Sequence, residues 1–401
     1  MVRPTHLGMM ALALSLTLGP PCAAQEEGGL MKGRAFIPDT SLERPEHVGL
    51  RAHTNHRILV EPAGGEGPGG GMTPIQIRSF YGVAGTGSGV IAIVDAYNYP
   101  TALSDFNTFA GYFGLPLESS TSVTASTNKV FQVVYATGSK PGNNGGWNQE
   151  AALDIEWAHA LAPAAKIVLV EAKSASYSDL LKAVDVAARI AGVKQVSMSW
   201  GGSEWSGETG YDSHFNVTGP VFFAATGDTG GVVIYPSCSQ YVAAAGGTSV
   251  STTSAGLLVS ESAWSDGGGG NSAYVAKPSW QVPVTMTGTR RGVPDLASDA
   301  DPETGVSVYD STSYAGMKGW MVFGGTSVAT PCLSGMLNAS GAAFTTTSAF
   351  LANLYSLYLA GFTGNGPVEF RDITTGSNGF PARAGWDYCT GVGAPIAPAS
   401  F

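Results

Sequence analysis

Residues 89–96 read GVIAIVDA and residues 166–172 read KIVLVEA. Each is an apolar run of strand length, rich in β-branched side chains. QVSMSW at 195–200, PVFFAAT at 220–226 and YVAAAGG at 241–247 continue the series, with helix-period segments near 149–161 and 177–192 between them. Strands apolar on both faces, alternating with helices, predict an α/β domain with a mostly parallel central sheet and helices on both faces. Active sites in such sheets gather at the carboxyl ends of the strands.

Around this core the composition narrows the function. The 401 residues carry a net charge of −10 with no basic run, which argues against nucleic acid as a partner. At the amino terminus, Arg3, the apolar stretch MMALALSLTLG and Cys22-Ala23-Ala24 read as a signal peptide over residues 1–24, with a mature chain from Gln25. No later stretch is long and apolar enough to act as an anchor, so a secreted or periplasmic product without a membrane partner is expected. Residues 25–72 read as a leader or short pro-segment. They hold His47, His53 and His56, and the run GGEGPGGG reads as a flexible linker. The remaining residues, 73–401, form one domain. After signal removal Cys238, Cys332 and Cys389 remain, which allows at most one disulfide, and no pair has zinc spacing.

The pentapeptide GGTSV occurs at 246–250 and again at 324–328. The first copy continues into β-branched and small polar residues without helical period, so Ser249 belongs to a strand and is structural. The second continues as SVATPCLSGMLNASGAAF, a run of small and apolar residues that makes a tightly packed helix with Pro331 in its first turn. Ser327 then stands at a helix amino terminus, where free N–H groups and the dipole favour developing negative charge. A plain N-cap serine would fit the same position.

A nucleophilic serine needs a base. In NQEAALDIEWAHALAP, Glu150 and Asp154 are four residues apart and share a helix face, whereas His159 points to the opposite side. Two neighbouring carboxylates couple, and one becomes a base; solvated surface acids would show the same spacing.

Taken together, these blocks are specific. Residues 325–331, GTSVATP, resemble the serine motif shared by subtilisins and sedolisins. The Glu150-x-x-x-Asp154 helix stands where subtilisins carry their histidine block, which is the sedolisin, or serine-carboxyl peptidase, pattern. ATGDTG at 225–230 is similar to that family's oxyanion-hole block, with Thr226 in place of the usual serine. DITTGSN at 372–378 with Gly385-Trp386-Asp387 resembles its calcium loop. The resemblance starts at MTPIQIRSFYG (72–82) and runs to the carboxyl terminus.

This resemblance implies a subtilisin-like fold and an acid-acting endopeptidase in which Ser327 attacks the peptide carbonyl, Glu150 is the general base, Asp154 supports it and protonated Asp228 holds the oxyanion. It implies one structural Ca²⁺, bound by Asp372 and Asp387 through side chains and by Ile373, Arg383 and Gly385 through carbonyls. Relatives commonly have glycine at the Arg383 position. The segment around Ser197, Ser199, Trp200 and Gly201 resembles the strand that pairs with extended substrate. The expected partner is a peptide or protein substrate, and the enzyme is expected to be a monomer. Rival readings are a subtilisin-like Ser/His/Asp peptidase using Asp95, which lacks a suitable histidine, and an inactive secreted binding protein.

Overall fold

The computed structural model describes residues 1, 28–61, 64–366, 368–396 and 400–401, and the expected signal peptide lies outside them. The apolar runs become a sheet of eight strands. Its order is Leu258–Ala263, Ala243–Thr252, Val221–Ala225, Val193–Met198, Val90–Ala96, Lys166–Ala172 and Phe131–Tyr135, with Leu296–Asp299 also paired to Ala243–Thr252. All pairings are parallel except that of Leu258–Ala263. The strand Val90–Ala96 shows why the sheet is covered on both sides. Ile91 and Ile93 enter one apolar cluster with Trp157 and Leu333, while Ala92 and Val94 enter a second with Leu180 and Val184. Three layers result, as the alternation predicts.

The helix Gly145–Leu161 is capped by Asn144, whose side chain accepts from Trp147 N at 3.2 Å. Its residues from Gly146 to Leu161 are all buried, so it has no solvent face at all. The second key helix, Thr326–Ser340, packs against it. At Gly335 an added Cβ would lie 2.6 Å from Leu161 Cβ, so a glycine there lets the two helices approach closely. Pro331 stands in the second turn of this helix rather than the first, and the carbonyl it leaves without an i+4 partner, that of Ser327, accepts instead from Ser199 Oγ at 3.4 Å. The helix expected over 177–192 ends at Ala187. Helices Ala102–Phe113 and Thr347–Phe362, not expected from the sequence, add to the covering layers.

The leader is built into the domain. Strands Gly29–Lys32, Ala35–Pro38 and Arg57–Leu59 form one antiparallel sheet with Val306–Tyr314 and Met317–Gly324. The glycine-rich run, expected as a flexible linker, contains an ordered turn: Ser307 Oγ donates to Pro68 O at 2.8 Å, and Gly65 and Gly67 donate to Gly70 O and Gly71 O. A side chain at Gly71 would meet Ser307 N at 2.5 Å, so glycine serves close packing here. Cys238, Cys332 and Cys389 are buried free thiols, so no disulfide forms among them. No helix among the described residues is long and apolar enough to cross a membrane.

Candidate active site

Ser327 is the second residue of its helix and fully buried. Gly325 before it adopts φ 103°, and a Cβ there would lie 2.1 Å from Asn55 O and 2.6 Å from Asp228 Oδ2. Only glycine leaves this space free. The Ser327 hydroxyl donates to Ser199 O at 3.2 Å. Ser249 is a different case, lying in the strand Ala243–Thr252 opposite Ser262, as its flanking sequence predicts.

The carboxylates converge on the same place. Glu150 and Asp154 are completely buried, not solvated, because their helix is. Asp154 Oδ1 accepts from Ser199 Oγ at 2.8 Å, so Ser199 bridges the acid to the nucleophile's own backbone. Burial pushes the Asp154 carboxyl well above the ordinary range, and the negative charges of Asp95 and Glu150 push it further. Its other oxygen, Oδ2, has no hydrogen-bond partner among the described residues.

Asp228 forms the opposite wall. Its Oδ1 accepts from Thr326 N and Thr326 Oγ1, both at 2.9 Å, while Oδ2 accepts no hydrogen bond among the described residues. The carboxyl is 11 % exposed. Burial raises its pKa to about 6, against the opposing pull of Arg57 and of the Thr326 donors. Below that pH it carries a proton, and Arg57 Nε lies 4.0 Å from Oδ2.

Of the residues around the expected substrate strand, Trp200 and Gly201 pair antiparallel with the chain's own Thr54 and His53. Ser199 contributes its carbonyl to Ser327 and its hydroxyl to Asp154. Ser197 is buried in the central sheet and its hydroxyl has no partner among the described residues, so it stands apart from this pairing.

Sequence reasoning missed the leader side of the site. His56 Nδ1 lies 2.8 Å from Glu150 Oε2, and its ring stacks on Phe323 at 5.4 Å. Asn55 N donates to the same Glu150 oxygen at 3.2 Å. Arg57 bonds the Asp228 carbonyl and the Asp266 carboxylate and lies 5.0 Å over the Trp264 ring. The leader histidines were visible as a group; RILV beside them was the strand signal that would have drawn them into the domain. His159 Nε2 instead donates to Pro116 O at 2.9 Å, away from the site. Asp95, the anchor of the Ser/His/Asp rival, has Glu150 and Glu171 as its charged neighbours and no hydrogen-bond partner among the described residues. No imidazole supports a subtilisin-like triad from it.

In the carboxyl-terminal loop, Asp372 Oδ2 accepts from Gly385 N at 3.0 Å and Asp387 Oδ2 from Arg383 N at 2.8 Å. Each carboxylate therefore fixes the stretch whose carbonyls would complete an oxygen shell. Burial raises the Tyr358 pKa, against the Trp386 N–H it accepts, and the charges of Asp372 and Asp387 add to the rise. An all-oxygen donor set of this kind fits a hard cation. Elsewhere, Glu204, Glu208 and Cys238 bring ligand atoms within 4.8 Å of one another. Burial lifts the Glu208 pKa to about 8, with Glu204 adding to it, so a proton accounts for that contact.

No family model matches the chain. Kumamolisin from Bacillus sp. (strain MN-32) is 33 % identical over 367 residues, covering 81 % of this chain and 62 % of the relative. Sedolisin from Pseudomonas sp. (strain 101) is 36 % identical over 177 residues, covering 40 % of this chain and 28 % of the relative. A solved Pseudomonas sedolisin, described as a serine-carboxyl proteinase complexed with two molecules of pseudo-iodotyrostatin, superposes with a TM-score of 0.66 at 26 % identity, covering 82 % of this chain and 97 % of that one. The chain belongs to the sedolisin family. It spans less than two thirds of the length of the curated relatives it matches. As in that family, the fold is subtilisin-like.

The buried acids set a stability trend for this fold. Burial raises Asp310 to about 6 and Glu171 to about 7, alongside Asp228 at about 6. Each holds its proton to higher pH when folded than when unfolded. Their stabilisation is complete below the unfolded carboxyl range near about pH 4 and is lost as pH rises through the folded values. His159 opposes the trend: burial lowers its pKa to about 4, so between there and about pH 6.5 the unfolded chain takes up a proton that the folded one does not. Raised groups outweigh it, so the melting temperature is expected to be roughly 5–10 °C higher near pH 5 than near pH 8. A calorimetric scan across that range checks it, and a maximum at pH 8 contradicts it.

Proposed function

We propose that this chain is an acid-acting serine-carboxyl endopeptidase, secreted or periplasmic, that cuts peptide bonds through an acyl-enzyme on Ser327. The observation that carries this reading is the Ser327 backbone N–H, which donates to a peptide carbonyl, that of Asn55, at 3.1 Å. That contact puts a carbonyl beside the nucleophile, the Asp228 carboxyl and the Glu150 base at once. Ser327 Oγ attacks the carbonyl carbon as its proton passes to Glu150, and Asp154, itself protonated by its environment, orients and supports that base. The Ser327 N–H and protonated Asp228 hold the oxyanion. Glu150 then returns the proton to the leaving amine, and water repeats the sequence on the ester. Trp200 and Gly201 bind main chain, so recognition on that side is of peptide backbone.

An acid quench during turnover of a slowly deacylating peptide ester tests this directly. Mass spectrometry should find the acyl group on the tryptic peptide containing Ser327, with a burst of leaving group equal to the enzyme concentration. Label on another residue, or no burst with a substrate that is turned over, removes the mechanism.

Calcium belongs to the same proposal. When bound by Asp372, Asp387 and the carbonyls of Ile373, Arg383 and Gly385, the ion would tie the loop to the domain. Ion binding confined to the folded state stabilises it, by about 3–4 kcal/mol at 100–1,000 times the dissociation constant. A chelator at pH 6, or Asp372→Ala, is therefore expected to lower the melting temperature, and an unchanged melt in chelator excludes the ion.

A further inference from the structure

The carbonyl on the Ser327 N–H belongs to Asn55, so the residues after it mark where a peptide would run beyond the bond under attack. Arg57 is the second of them. Its main chain pairs with Gly324, just before the nucleophile's own turn. Successive side chains of an extended segment point to opposite faces. His56 accordingly turns to Glu150 and Phe323, and Arg57 to the other wall.

That wall suits a guanidinium. Arg57 Nη1 donates to Asp266 Oδ2 and Nη2 to the Asp228 carbonyl, while Cζ lies 5.0 Å over the Trp264 ring. The Arg57 side chain is 6 % exposed, so the cation is almost wholly enclosed. Carboxylate, carbonyl and aromatic face together match a planar, forked cation. The receiving side is held in place before any cation arrives. Gly230 N donates to Asp266 O at 2.8 Å and Gly268 N to Gly227 O at 2.7 Å, which ties the Asp266 loop to that of Asp228. Trp264 is buried, and its backbone N–H donates to Gly247 O at 3.1 Å.

The cations at this wall all come from the leader. Among the described residues, the Asp266 carboxylate accepts from Arg57 and from Lys32, the latter at 2.7 Å with its side chain half exposed. No described residue beyond 72 donates to it. Burial works against the Asp266 charge, but Lys32 and Arg57 overcome it and hold its pKa below the ordinary carboxylate value. With a cation beside it, Asp266 therefore stays ionised even at about pH 4.

We propose that Asp266 and Trp264 form a subsite that selects arginine at the second residue after the scissile bond of a peptide substrate. The inference rests on the peptidase reading above and gives that same site its specificity. An arginine there makes all three contacts. Lysine reaches the carboxylate but lacks the fork that joins it to the Asp228 carbonyl. Leucine leaves a largely buried carboxylate unpaired, and glutamate sets two carboxylates against each other.

The full chain and its Asp266→Asn and Asp266→Lys variants are assayed at about pH 4 on three peptides. The peptides differ only in carrying arginine, leucine or glutamate at that position, and the products are identified by mass. Ratios of kcat/KM between peptides are compared within each enzyme, so a change in fold or in basal rate cancels. The wild type should favour arginine over leucine by about 10- to 100-fold, the range of a hydrogen bond to a charged group. Asp266→Asn should abolish that preference, and Asp266→Lys should favour glutamate over arginine. Equal cleavage of the arginine and leucine peptides by the wild type overturns the inference and leaves the peptidase reading standing. So does a cut that places arginine elsewhere relative to the bond, or an arginine preference that persists in either variant. A wild type inert toward all three peptides sinks the peptidase reading and this inference together.

Discussion

Ser327→Ala and Glu150→Gln are each expected to lower peptidase activity by about 10⁴-fold or more, because residues that act as one catalytic unit fail together. Ser249→Ala should leave activity within about twofold, since a substitution away from the reacting groups has little effect. Geometry separates the two serines. Ser327 stands at a helix start, with a glycine before it that only a Cβ-free residue can replace and a peptide carbonyl on its N–H. Ser249 has the same pentapeptide around it but lies within the strand Ala243–Thr252, paired to Ser262. Glu150→Gln keeps the shape of the side chain and its contacts with Asn55 while removing the base. Circular dichroism of each variant separates loss of chemistry from loss of fold. Full activity in Glu150→Gln, with a folded enzyme, would end the carboxylate mechanism.

The second large effect is on pH. Activity is expected to fall as pH rises through about 6, because that is where Asp228 loses the proton it donates to the oxyanion. Above that pH the group becomes an anion beside a developing anion, which turns a stabilising contact into a repulsive one. Removing one oxyanion donor typically costs about 10²–10³ in kcat, so Asp228→Ala should show a loss of that size at the acid optimum. Asp228→Asn retains an N–H donor that does not titrate. It should keep much of the activity and move the alkaline limb of the profile upward. A wild-type rate that climbs through pH 7 toward an alkaline plateau is the signature of an imidazole base and would refute the assignment.

Much of the site was legible because its signals are local. The two GGTSV copies differ in the residues on their carboxyl side, strand chemistry after Ser249 and a small-residue helix after Ser327, and these preferences act over a few residues. The spacing of Glu150 and Asp154 is set by helix geometry alone. The strands Val90–Ala96 and Lys166–Ala172 appear as unbroken apolar runs because a parallel strand is covered on both faces.

Which surfaces meet could not be read locally. His53, His56 and Arg57 look like a polar leader, and their partners, Trp200 to Gly201, Glu150 and Gly324, are distant in the chain. Pairing across such distances depends on the assembled sheet edge and not on the segment's own propensity. Pro331 falls one turn deeper than expected because Thr326, and not a later residue, opens the helix, and the carbonyl it frees is taken by Ser199 on another element. The sequence alone determined the mostly parallel sheet and the family, and it singled out Ser327, Glu150 and Asp154 as candidates. Tertiary structure decided that Glu150 and Asp154 are buried, that burial raises the Asp228 pKa to about 6, and that the Ser327 N–H meets the Asn55 carbonyl. The physical reason is that a carboxyl's protonation and a cleft's occupancy depend on everything packed around them, which only the folded chain brings together.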